Sequence, residues 1–122
     1  MSDEDDSNQK VLDLREKLLQ HQEFFKKLYF SSKLKTRQHL NVASTKQLKL
    51  LIKVLHHIFA GDIPLQGEFF QKIKDAKKLS FCVRTFEHEK DVEALLGKDR
   101  KDLLAVLYKI QSVLTFLMSS LK

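Results

Sequence analysis

Leu103, Leu107, Ile110, Leu114, Leu117 and Leu121 follow one another at intervals of 4, 3, 4, 3 and 4 residues. That alternation tracks the helical repeat and gathers all six side chains on one face. Leu104, Val106, Val113, Phe116 and Met118 spread apolar surface over much of the remaining circumference. A helix of this kind is either buried at the centre of a bundle or forms a seam between chains. The seam runs for less than three heptads, and core packing is the simpler reading. With only three Gly and one Pro in 122 residues, the chain has too few turn formers for a β-sandwich. The expectation is an all-α fold: a compact bundle of four to six helices with a largely apolar C-terminal helix.

Other segments carry the same period. Val11, Leu14, Leu18, Phe25 and Leu28 predict a helix from Gln9 to Tyr29 or Phe30. Residues 33–43 are ambiguous between a short helix and a loop. Ser44 followed by Gln47 matches a capping box, and a helix from Thr45 to Ala60 should follow, stopped by Gly61. Pro64 marks a connector. A short basic helix is expected over 68–78, then a loop or helix extension through Leu79, Phe81 and Val83. Thr85 is placed to cap a helix over 86–96 that Gly97 ends, and Asp99 to start the last one. Residues 1–8 are read as a disordered acidic tail and 9–122 as a single helical domain. The apolar run Leu103–Met118 is interrupted by Lys109, Gln111, Ser112 and Thr115, so no transmembrane segment is expected where roughly 20 apolar residues are needed.

Charge is distributed unevenly. The formal net charge is +6, yet Asp3, Glu4, Asp5 and Asp6 place four acids at the start. Setting those aside leaves 22 basic against 12 acidic side chains, a balance of +10. No acid occurs between Glu23 and Asp62, a stretch that holds Lys26, Lys27, Lys33, Lys35, Arg37, Lys46, Lys49 and Lys53. Lys46, Lys49 and Lys53 share a helical face opposite Leu48, Leu51 and Leu55. Lys72, Lys74, Lys77, Lys78 and Arg84 follow after the connector. If the two helices form a hairpin, their lysines make one positive surface. Such one-sided charge suits an anionic partner: nucleic acid, an acidic protein segment or an anionic membrane surface; a solvated basic face without a fixed partner is the plainer alternative. Lysines contact phosphates as flexible point charges and read little sequence. Only Arg37, Gln38, His39 and Asn41 have the side chains for reading base edges.

The sequence offers little for catalysis. His56 and His57 are adjacent and point roughly 100° apart on a helix, so they cannot share a metal from one face. His21, His39 and His88 are scattered, and no metal site or cofactor is expected. Cys82, between Phe81 and Val83, reads as a small buried hydrophobe and has no evident base. Glu87, Glu89, Asp91 and Glu93 fall in the first turns of an expected helix, where the macrodipole accounts for them. No enzyme activity is assigned. A lone cysteine that cannot form an internal disulfide, with no N-terminal apolar signal, leads to the expectation of an intracellular location, nuclear or cytoplasmic.

From Leu48 to Arg84, under a third of the chain, the sequence resembles small basic proteins of Maverick/Polinton-type DNA elements and related viruses. The matching features are the apolar helix with Val54-Leu55, then Gly61-Asp62-Ile63-Pro64-Leu65, then Phe70-Gln71-Lys72-Ile73-Lys74 and Lys77-Lys78-Leu79. The chain departs from those proteins in its acidic N-terminus and in an apolar C-terminal helix where they continue Lys-rich. The resemblance implies a role with nucleic acid in or around virions and assigns no active residue. The expected function is a helical module that contacts nucleic-acid backbone through Lys33, Lys35, Arg37, Lys46, Lys49, Lys53, Lys72, Lys74, Lys77 and Lys78. The alternative is an adaptor that takes an acidic or helical protein partner, or a homodimer joined through the leucine seam.

Overall fold

Ser44 starts its helix as the capping box requires. Its hydroxyl accepts the Gln47 amide at 3.1 Å, and the Gln47 side chain accepts the Ser44 amide at 3.0 Å. At the other end Gly61 adopts φ +90, a left-handed conformation that favours glycine. It turns the chain so that the amides of Asp62 and Ile63 both bond the His57 carbonyl, at 2.8 and 3.0 Å.

The computed structural model describes residues 3–30, 33–63 and 76–118. They form α1 (Asp3–Gln20), α2 (Gln22–Phe30), α3 (Lys33–Val42), α4 (Thr45–Phe59), α5 (Ala76–Phe86), α6 (Glu89–Leu96), α7 (Arg100–Lys109) and α8 (Gln111–Met118). The fold is all-α, and no strand occurs among the described residues. No helix here is long and apolar enough to cross a membrane. The connector at Pro64, most of the expected helix 68–78, and Leu121 lie outside the described residues.

The segments outnumber the four to six expected because two long helices are broken without loss of period. At His21 the amide bonds the Leu18 carbonyl, three residues back, at 3.1 Å. At Ile110 the amide bonds Leu107 in the same tighter pattern, also at 3.1 Å. The breaks redirect the chain: α1 packs on α4 while α2 packs on α8, and α7 packs on α4 while α8 packs on α2 and α3. Helix α1 begins at Asp3, inside the segment expected to be a disordered tail; once a helix is nucleated, each further residue adds a bond at little cost. Residues 33–42 resolve as helix. Thr85, expected as a cap, lies inside α5, because residues 79–83 extend that helix to Phe86. His88 instead occupies the N-cap of α6, without a side-chain capping bond. Asp99 does cap α7, accepting the Asp102 amide at 3.0 Å.

Helix α4 packs against α1, α5, α6 and α7. Its buried residues include Leu50 and Val54 as well as Leu48, Leu51, Ile52, Leu55 and Ile58, so its apolar surface exceeds the single stripe read from sequence. Leu103, Leu107, Ile110, Leu114 and Leu117 are all fully buried within the chain. These five residues of the leucine seam are therefore core and present no exposed face to a second chain.

Cys82 is also fully buried, and loss of hydration pushes its thiol up to about 12. Only the thiolate is a strong nucleophile, so the native protein should resist alkylation by a thiol reagent near neutral pH and react once unfolded. Stoichiometric labelling of the folded protein within minutes, followed by mass spectrometry, would contradict this burial.

Candidate nucleic-acid interface

The contact of α1 with α4 brings Lys17 near Lys49 and Lys53. His21, just past the end of α1, approaches Gln47 in the first turn of α4 at 3.4 Å. Leu14 is buried and Leu18 packs against the core from the same face of α1. Lys17, between them in sequence and exposed, borders that face. Opposite it, Lys46 is exposed, whereas Lys49 and Lys53 are half-buried. The sequence reading put all three lysines on an open face. Instead α1 packs on α4, and Lys49 and Lys53 are partly covered.

Lys53 is held below the ordinary lysine range, first by loss of hydration and then by repulsion from Lys17 and Lys49. Among the described residues the ion pairs are Lys10 with Glu89 at 3.5 Å and His57 with Asp62 at 2.9 Å. Among the described residues no carboxylate pairs with Lys17, Lys46, Lys49 or Lys53. The unfolded chain thus holds the Lys53 proton more tightly than the folded one. Stability from this group is lost below the folded pKa and recovered as pH rises toward the unfolded value. Lys53→Met, which keeps the stem and removes the charge, should raise the melting temperature at neutral pH and low salt. A lower melting temperature in a calorimetric scan would show that the ammonium group has a stabilising partner.

The other expected contacts are dispersed. Lys33 and Lys35 lie on α3, and Lys35 is exposed. Lys77 is exposed on α5. Helices α4 and α5 do pack together, but Lys78 donates to Ser112 of α8 and so is directed away from the α1–α4 seam. Lys72 and Lys74 lie outside the described residues. Arg37 places its guanidinium 4.5 Å from the Tyr108 ring centre. Asn41 accepts the Tyr108 hydroxyl at 2.7 Å, and its carbonyl accepts Arg100. Two of the side chains considered for base reading thus each contact Tyr108 while remaining exposed.

Lys17 was not among the sequence candidates, since it lies before the acid-free stretch between Glu23 and Asp62. Its position three residues after Leu14 is the only sequence signal that it borders a buried face.

His56 contacts the Phe86 carbonyl at 2.7 Å and His57 contacts Asp62, so the two rings serve different partners. No group of three or more His, Cys, Asp or Glu side chains is arranged to hold a metal among the described residues. Glu87, Glu89, Asp91 and Glu93 are all exposed, and Glu89 and Asp91 stand in the first turn of α6.

Comparison with protein families, curated proteins and solved structures yields no match to this chain.

Proposed function

We propose that this chain is a non-enzymatic helical module that holds nucleic acid by its phosphate backbone. The observation that carries the reading is the seam of α1 and α4, where Lys17, Lys46, Lys49 and Lys53 gather without a carboxylate partner among the described residues. Lys17 and Lys49 repel the charge of Lys53 there. Phosphates spaced along a strand would relieve that repulsion and release their own counterions. Lysine supplies charge and reach with little base discrimination. The resemblance of Leu48–Arg84 to basic proteins of Maverick/Polinton-type elements points the same way.

The test is fluorescence anisotropy on several unrelated duplexes over a range of salt. The expected result is similar affinity for all of them and a steep, linear fall of log affinity with log salt. Failure to bind any duplex at low salt, or strong preference for one sequence, overturns the reading. Polyglutamate binding as tightly as DNA on the same lysines would transfer the site to an acidic protein partner.

A further inference from the structure

A second surface, independent of the lysine seam, lies on α7 beside its contact with α3, which Arg100 and Tyr108 make through Asn41. Lys101, Leu104, Ala105 and Tyr108 recur at i, i+3, i+4 and i+7 and so share one face of α7. With Arg100 they line a shallow open cleft of about 510 Å³. The core-facing Leu103, Leu107 and Ile110 occupy the other side of the helix. The floor of the cleft is apolar: Ala105 is exposed, Tyr108 half-buried, and Leu104 beneath them is buried with 7% of its surface exposed.

Its rim is cationic. Arg100 donates to the carbonyls of Asn41 and Ala43, the latter at 3.1 and 3.3 Å, which anchors the guanidinium without cancelling its charge. Arg37 stands over Tyr108, and Lys101 is exposed. None of the three pairs with a carboxylate among the described residues. Asp102 follows Lys101 by roughly 100° around the helix, while Arg100 precedes it by the same angle. Since Arg100 faces α3, Asp102 lies on the flank turned away from the cleft. Val42, between the two carbonyls that Arg100 holds, is 82% exposed and adds apolar surface beside it.

We propose that the α3–α7 cleft docks an acidic peptide segment of another protein, with an aliphatic side chain on Leu104 and Ala105 and flanking carboxylates on Lys101 and Arg37. Charge complementarity selects the acids, and the aliphatic floor selects what stands between them. A nucleic-acid base fits less well: one face of the Tyr108 ring already carries Arg37, and its hydroxyl is tied to Asn41.

The probe is a fluorescein-labelled synthetic peptide of alternating glutamate and leucine, followed by anisotropy at low salt. Saturable binding is expected. Ala105→Glu and Lys101→Glu should each weaken it about tenfold or more, by placing a carboxylate against carboxylates. A glutamate–alanine peptide should bind more weakly than the leucine one. Replacing Lys46, Lys49 and Lys53 together by Gln should leave peptide binding unchanged, which separates this cleft from the phosphate reading. Both cleft positions are exposed, and a thermal melt checks each variant; if Ala105→Glu does not fold, Lys101→Glu decides. The proposal is overturned if no binding occurs, if both cleft variants bind normally, or if the triple lysine variant loses the peptide. It is also overturned if a labelled single-stranded oligonucleotide binds more tightly than the peptide and is lost in the cleft variants.

Discussion

Leu107→Ala should destabilise the protein by about 2–5 kcal/mol, and Leu114→Ala by a similar amount. Both side chains are fully buried. Leu107 belongs to α7, which packs on α4 and α3, and Leu114 to α8, which packs on α2 and α3. Each truncation removes methyl groups from the core and leaves a cavity that rigid neighbouring helices fill only in part. A domain of this size has a total stability of roughly 5–15 kcal/mol, so either change removes a large share of it. The melting temperature should fall by roughly 10 °C. Urea unfolding followed by circular dichroism gives the free energy directly. A loss below about 0.5 kcal/mol in either variant would mean that its leucine is not in the core, and the seam would again be open to a second chain.

The same leucines show what was legible in the sequence. Period and local caps were: Ser44 with Gln47, Gly61 and Asp99 act within a few residues, and each does in the structure what its type and spacing predict. The bends at His21 and Ile110 were not. Neither site has a Pro or Gly, and the apolar period runs straight through both. What bends the chain is the choice of packing partner on either side, which is set by residues far away in sequence. Thr85 failed as a cap for a related reason. Residues 79–83 alternate in polarity, yet Cys82 and Phe86, four apart, face the core as a helix.

The candidate surfaces divide in the same way. The stripe of Lys46, Lys49 and Lys53 was readable because it lies on one helix. The arrival of Lys17 and the partial covering of Lys53 were not, since both depend on how α1 docks. Arg37 and Asn41 looked available from their local sequence alone. Both in fact contact Tyr108, more than sixty residues on, so nothing near them signalled that contact. Charge pattern reports where cations can stand, and tertiary contacts decide which of them remain free to meet a ligand.

Replacing Lys46, Lys49 and Lys53 together by Gln should therefore have its largest effect on binding. If all three touch phosphates, the log–log salt slope on duplex DNA should flatten by about 0.9 for each lost contact, or about 2.7 in all. At about 0.1 M salt that amounts to a loss of roughly two to three orders of magnitude in affinity, equal across unrelated sequences. Folding should respond in the opposite direction. Lys49 and Lys53 are half-buried, and Lys53 stands in the repulsive field of Lys17 and Lys49, so the triple variant should melt no lower than the wild type and somewhat higher at low salt. The two readouts together separate loss of contact from loss of structure. A variant that keeps the wild-type slope would show that the phosphates lie elsewhere on the molecule. A variant that loses affinity but also melts early would show that these side chains support the α1–α4 packing, and Lys17→Gln, at an exposed position on the facing helix, would then test the phosphate contact by itself. That single change should flatten the slope by about 0.9 with the melt unaltered; an unchanged slope would remove the seam as the binding surface.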